Sequence, residues 1–235
     1  MKKRITNTQK YKNFISWDSR YKGAFDSEEY TVYDFFYNNI FKNKDDGFII
    51  DIGANDGVTI SHSLPFIDKG WSALMIEPNP VLFKKMKDLY SDLSDVICVN
   101  LAVAEKQIEK TELYLGCEKH QGHSTILFSE TTAEEVQEFF SNEKIFVSCD
   151  TLENIIIKNN INKEIDILHI DAEGKTIDIL RSFNFKKYRP KFISVDILTQ
   201  DFDPRRNQLK ELMQQINYKF IFSRGQSVWE DNSGY

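Results

Sequence analysis

Apolar residues recur along the chain in short, strand-sized runs, each followed by a stretch with helical spacing. The clearest runs are residues 47–51 (GFIID), 72–76 (SALMI), 96–101 (VICVNL), 166–170 (DILHI) and 192–197 (FISVDI). Continuous apolar runs of this length, bounded by turn residues, predict strands buried on both faces. Between them lie helix signals. Asn79-Pro80 supplies a cap and a first-turn proline for a helix over 80–91. Asp150 with Glu153 opens a helix over TLENIIIKNN, Gly174 begins one carrying Ile177, Ile179 and Leu180, and another lies near 206–216. A helix runs from the first strand's loop to Lys69, with a kink or early break at Pro65 and a stop at Gly70. TELYLG and IFVSC read as further strands, Thr131 and Glu134 open a short helix, and the tail forms a hairpin turning at Arg224-Gly225.

Ahead of the first strand, Asp26 and Glu29 make a capping box, and Val32, Tyr33, Phe36 and Ile40 repeat at helical spacing. The expected organisation is an N-terminal extension over 1–45 with one helix over 27–42, then one domain over 46–235. Buried strands alternating with helices predict an α/β fold, a parallel sheet covered on both faces. Ligands of such sheets bind at the carboxyl ends of the strands. Three strands end in acids there, Asp51, Glu77 and Asp171, and a fourth ends near Asp196. Acids avoid full burial unless paired, so their convergence on one edge points to a site.

Composition narrows the classes. A net charge of −6 and a pI near 5.4 argue against a general nucleic-acid binder. No apolar run approaches the roughly 20 residues of a membrane helix. The start MKKRITNTQKYKN lacks the apolar segment of a secretory signal, which makes the cytoplasm the expected location. Cys98, Cys117 and Cys149 form no CxxC pair and read as reduced thiols.

The loop after the first strand, in GFIIDIGANDGV, asks for a close backbone approach. A dinucleotide loop is G-x-G-x-x-G; this one has only Gly53 and Gly57, with Asp51 before and Asp56 inside. Acids there repel a pyrophosphate, which disfavours a nicotinamide-dependent oxidoreductase. They suit a ligand with an amine or sulfonium and ribose hydroxyls. Glu77, 20 residues past Gly57, stands where a ribose-binding acid belongs.

The pattern D-x-G-x-N-x-G resembles the cofactor loop of class I S-adenosylmethionine methyltransferases. The ordered blocks GFIIDIGANDGVTISHS, GWSALMIEPNP, VNLAVAE, CDTLEN and IDILHIDAEGKTIDIL, spanning about residues 47–198, resemble the FkbM family within that class. The resemblance implies a Rossmann-like class I methyltransferase fold: a mainly parallel seven-stranded sheet with an antiparallel C-terminal hairpin strand and helices on both faces. It also implies S-adenosyl-L-methionine as cofactor and O-methylation, commonly of a sugar, sugar nucleotide or glycan hydroxyl. A small-molecule O-methyltransferase, with a natural-product or phosphorylated acceptor, is the runner-up; a module that binds the cofactor without turnover is a third reading. The family usually has Lys at the position of His169 and Glu at that of Asp196, departures that bear on the acceptor.

On this reading Gly53 and Gly57 let backbone approach the methionine part. Asp51 organises the loop or meets the amino group, Asn55 bonds the carboxylate or holds the loop's shape, and Asp56 lies within the loop. Thr59, Ser61 and the helix-start amides receive the carboxylate. Asn100 and Ala102 border the adenine, with His123, Ser124 and Thr125 on its other side. An alcohol needs a general base; Asp171 is the first choice, Glu173 and His169 the second. Asp171 equally suits a helix cap, and His169 a core position. His62, His120 and His123 read as ordinary polar residues, and Arg205-Arg206 as a solvated helix start or a grip on an acceptor phosphate. Asp171 and Asp196 could hold Mg²⁺, as some small-molecule O-methyltransferases do. The extension over 1–45 is expected to frame the acceptor pocket. The sequence does not set the oligomeric state.

Overall fold

The computed structural model describes residues 4–10, 12, 35–59, 61–116, 124–125, 140–172, 174–196, 204–224 and 226–234. Its main sheet joins β1 (Phe48–Ile52), β2 (Ser72–Ile76), β3 (Val96–Val99), β8 (Ile167–Ile170), β9 (Phe192–Asp196), β10 (Tyr218–Arg224) and β11 (Gln226–Asp231). Their order is β10-β11-β9-β8-β1-β2-β3. Neighbours from β3 to β9 pair in parallel, while β11 pairs antiparallel with both β9 and β10. This is the mainly parallel seven-stranded sheet with an antiparallel C-terminal hairpin that the family resemblance implies. The apolar runs became strands because both faces are covered: β1 and β2 are buried at every residue.

Each face has its own core. On one side Ile50, Leu74, Leu168 and Ile193 pack under α3 (Leu152–Lys158), α4 (Thr176–Ser182) and α5 (Pro204–Gln215), through Ile155, Ile179 and Met213. On the other, Ile49, Met75, Ile167 and Phe192 pack under α1 (Leu64–Lys69) and α2 (Pro80–Tyr90), through Phe66, Ile67, Met86 and Tyr90. Phe36 and Phe41 join this second core, each ring edge-on to Phe192.

Several elements depart from the sequence reading. Of the expected helix over 27–42, residues 35–42 are described; Phe35–Ile40 wind as a wide π-type turn in which Phe41 N donates to Phe36 O at 2.7 Å. Helix α1 starts only at Leu64, with Pro65 in its first turn, where proline fits without loss of a hydrogen bond. The segment before it, held by side chains, does not wind. The expected strand over 96–101 breaks after Val99. Helix α3 is capped by Thr151, whose hydroxyl accepts from Asn154 N at 3.2 Å. Asp150, expected as the cap, is instead drawn to Asn154 Nδ2 and Lys158 Nζ. The helix expected at Thr131–Glu134 and residues 197–198 lie outside the described residues.

The strands expected at TELYLG and IFVSC form, but in a second sheet that the sequence reading did not separate from the first. It joins β4 (Ala102–Val103), β5 (Ile108–Gly116), β6 (Ser124–Thr125) and β7 (Phe140–Asp150) in the order β4-β7-β5-β6. It follows β3 directly and returns the chain to α3.

Candidate functional site

Of the sequence-predicted residues, Asp51, Gly53, Asn55, Asp56, Gly57, Glu77, Asn100 and Asp171 lie at or just beyond the carboxyl ends of β1, β2, β3 and β8. The loop leaving β1 is pinned to both neighbouring strands. Gly53 and Ala54 donate to Ile76 O at 2.9 and 3.1 Å, and Asp171 N donates to Ile52 O at 2.8 Å. Gly53 has φ +84°, and a Cβ there would stand 1.9 Å from the Asp171 carbonyl oxygen. Gly57, with φ +78°, lies against Tyr90, where a Cβ would come 2.7 Å from the ring; the Tyr90 hydroxyl donates to Gly57 O at 2.7 Å. The close backbone approaches expected at a ligand are therefore contacts with β8's end and with α2.

The loop's side chains shape it from within. Asn55 adopts φ +55°, and its Oδ1 accepts from Asp56 N at 2.7 Å. Asp56 is buried, and its carboxylate accepts from Val58 N, Thr59 N and the Thr59 hydroxyl. Ser61 Oγ accepts from Leu64 N at 3.1 Å at the start of α1. Thr59 and Ser61, expected to receive a carboxylate, thus hold the loop. Asp51 is buried and accepts from the Ser63 hydroxyl. Burial lifts the Asp51 carboxyl to about 6, against the opposing pull of that bond.

Glu77 closes the other side. Its Oε2 accepts from Asn55 N at 2.9 Å and its Oε1 from Asn79 N at 2.8 Å, so one carboxylate spans the glycine loop and the turn after β2. It is only 4% exposed, and burial pushes it up to about 7 although both amides favour the charged form. Each oxygen keeps a second lone-pair direction for a hydroxyl. Asn79 Oδ1 caps α2 by accepting from Val81 N. Asn100 Nδ2 donates to the carbonyls of Glu77 and Pro78 at 2.8 and 2.9 Å, bracing the same turn. Ala102 is buried in β4, and Ser124 pairs with Leu115 in β6.

Asp171 is half-buried at the end of β8, and Asp196 at the end of β9. Glu173 and His123 lie outside the described residues. Among the described residues no group of three or more His, Cys, Asp or Glu side chains could hold a metal ion, so the magnesium expectation gains no support. His169 is buried and beside Asp51 in register. Its Nδ1 has no hydrogen-bond partner, and burial together with the nearby His62 ring holds it well below the ordinary histidine value. The structure thus puts His169 in the second core, beneath the edge where Asp171 stands.

The sequence reading took His62 as an ordinary polar residue and did not single out Ser194 or Gln226. The His62 ring lies against His169, tilted by 40° with centroids 4.2 Å apart. Its Nε2 lies 2.7 Å from Gln226 Nε2, and Gln226 Oε1 accepts from Ser194 Oγ at 3.1 Å. No local pattern could have joined residues 62, 194 and 226; the antiparallel register of β9 and β11, and the path of the loop before α1, bring them together.

The sheet order and the acids at its carboxyl edge define a class I methyltransferase fold. A methyltransferase FkbM from Methylobacillus flagellatus KT superposes with a TM-score of 0.52 at 11% identity, covering 86% of this chain and 48% of that one. A Staphylococcus aureus protein assigned as a caffeoyl-CoA O-methyltransferase also gives 0.52 at 10% identity, covering 97% and 94%. This chain spans about half the length of the Methylobacillus protein. No curated protein matches it. The family model of the methyltransferase FkbM domain matches residues 51–222, most of the chain. The chain belongs to the FkbM methyltransferase family. Among the described residues no helix is long and apolar enough to cross a membrane.

Proposed function

We propose that this protein is an S-adenosylmethionine-dependent O-methyltransferase acting on a hydroxyl of a sugar, sugar nucleotide or glycan-linked group. The observation that carries the reading is Glu77. A buried carboxylate, aimed by two backbone amides and set between the glycine loop and the turn after β2, suits the paired hydroxyls of a ribose. The acids around it, Asp51 and Asp56, suit a cofactor that bears positive charge and no phosphate.

Bound there, S-adenosylmethionine supplies an electrophilic methyl on a sulfonium. The chain's own part is positioning and proton transfer. Glu77 holds the ribose, Asn55 and the pinned loop set the depth of the methionine part, and Asn100 with Ala102 borders the adenine. Asp171, at the end of the strand beside β1, takes the proton that the acceptor hydroxyl must lose. Glu173 is the second candidate for that role. His169 is the weakest of the three, because it lies within the second core. The N-terminal extension over 1–45 frames the acceptor.

Calorimetry with S-adenosylhomocysteine tests the first half of the reading. Binding in the micromolar range is expected, weakened at least about tenfold in Glu77→Ala by loss of a charge-assisted bond to the ribose. A methyl-tritiated donor offered with a glycan and sugar-nucleotide panel tests the second half. No heat with either cofactor form, and no thermal shift, would sink the proposal.

A further inference from the structure

The glycine loop follows β1, and β11 begins at the same carboxyl edge, beside the end of β9. Among the described residues a side-chain hydrogen bond joins them. The side-chain amide of Gln226, at the first residue of β11, reaches His62, in the last part of the loop before α1. The direction of this contact can be read. Ser194 Oγ donates to Gln226 Oε1, which turns the amide's N–H groups toward His62. An amide nitrogen only donates, so His62 Nε2 accepts and the ring's proton sits on Nδ1. The chain Ser194, Gln226, His62 therefore fixes one neutral tautomer.

The surroundings keep the ring neutral. His62 lines a cavity of about 10 Å³ together with Phe36, Phe66, His169 and Ser194. Phe36 and Phe66 bring no charge. The titratable neighbours are His169 of β8, tilted against the ring, and then Asp51 of β1, in register with His169 and bonded to Ser63. Burial lowers His62 to about 4.

We infer that His62 is a positioning residue of the methyltransferase site: through Gln226 it fastens the glycine loop to β11, so that the loop keeps one position at the strand ends. The inference rests on the cofactor reading of the loop. Its chemistry follows from the next residue along the chain. Ser63 binds Asp51, so a shift of His62 pulls on the bond that sets the loop's own acid. Methyl transfer depends on alignment, and a small misplacement of the loop is costly.

The test uses the full chain with Gln226→Leu, Gln226→Glu and, as a control at the far end of the same strand, Glu230→Gln, which breaks the Lys219–Glu230 surface pair. Three readouts serve. Long-range ¹⁵N NMR of the imidazoles should show His62 as the Nδ1–H tautomer in the parent protein and as imidazolium in Gln226→Glu. Amide hydrogen exchange should quicken in residues 53–63 of Gln226→Leu but not in Glu230→Gln. S-adenosylhomocysteine affinity should fall about fivefold in Gln226→Leu, as expected for one net hydrogen bond transmitted to the loop, and stay within twofold in the control. Unchanged loop exchange in Gln226→Leu, or an Nε2–H tautomer in the parent protein, overturns the inference. If the parent protein binds no S-adenosylhomocysteine, the cofactor reading fails by itself, while the coupling of loop to hairpin still stands or falls on exchange and tautomer.

Discussion

Glu77 and His169 are both buried polar side chains, yet they place opposite demands on the fold. Glu77 has two amide donors and is still lifted to about 7, so near neutral pH a sizeable fraction carries a proton in the free protein. Ribose hydroxyls donate, and donors favour the ionised form. Binding S-adenosylhomocysteine should therefore release protons at pH 6.5 and few at pH 8. Calorimetry in buffers of different ionisation enthalpy reads this directly, and Glu77→Gln should abolish the buffer dependence. Proton uptake in place of release would mean that the hydroxyls do not meet this carboxylate. His169 has the reverse character, an imidazole nitrogen buried with no partner. An unpaired buried polar atom costs about 1–3 kcal/mol. His169→Leu should leave stability unchanged or raise it by about 1 kcal/mol in urea titrations. A clear loss would show that Nδ1 is satisfied in solution.

At the scale of elements, the two loop glycines separate packing from ligand approach. Gly53→Ala sets a methyl group against the Asp171 carbonyl at a positive φ and should cost about 3 kcal/mol or more without cofactor present. Gly57→Ala meets the Tyr90 ring and the flexible Met86 side chain and should cost less, about 2 kcal/mol. Were either glycine there only to admit a ligand, its alanine variant would keep its urea midpoint and lose affinity alone. The sequence marked these glycines as a place of close backbone approach; the neighbours the structure gives them are Asp171, Tyr90 and Met86, and a dense loop and a ligand cradle leave the same local pattern. What was legible was local: the apolar runs of the main sheet, the Asn79-Pro80 start of α2 and the acids at the strand ends. What was not legible depends on partners far along the chain. The second sheet pairs Ile108 with Cys149, and neither strand advertises its mate. The late start of α1 reflects Asp56 and Ser61 taking backbone amides that a helix would have used. The His62–Gln226 contact bridges 164 residues.

For the molecule as a whole, these buried groups set a dependence of stability on pH whose sign can be worked out. Asp51 and Glu77 have folded values of about 6 and about 7 against ordinary values of 3.8 and 4.5. A raised acid holds more protons folded than unfolded, so its contribution is full below the ordinary value and lost as pH climbs through the folded one. His62 runs the other way. Its value falls from 6.5 to about 4, so its contribution is present above 6.5 and lost as pH drops through 4. His169 adds to the histidine trend in the same direction. From about pH 4.5 to 6 the acids and histidines oppose each other, and stability should change little. Between about 6.5 and 7.5 Glu77 gives up its folded-state proton while the histidines of the unfolded chain give up theirs, so the two trends oppose each other there as well. Glu77 alone should remove on the order of 1 kcal/mol of ligand-free stability across that interval. Urea titrations at half-unit pH steps would read it as the difference between the parent protein and Glu77→Gln, whose stability should rise where the parent's stays nearly level. Saturating S-adenosylhomocysteine should remove the same loss by drawing Glu77 into its ionised form. Parallel curves for the parent protein and Glu77→Gln would leave the ribose-binding role without its electrostatic signature.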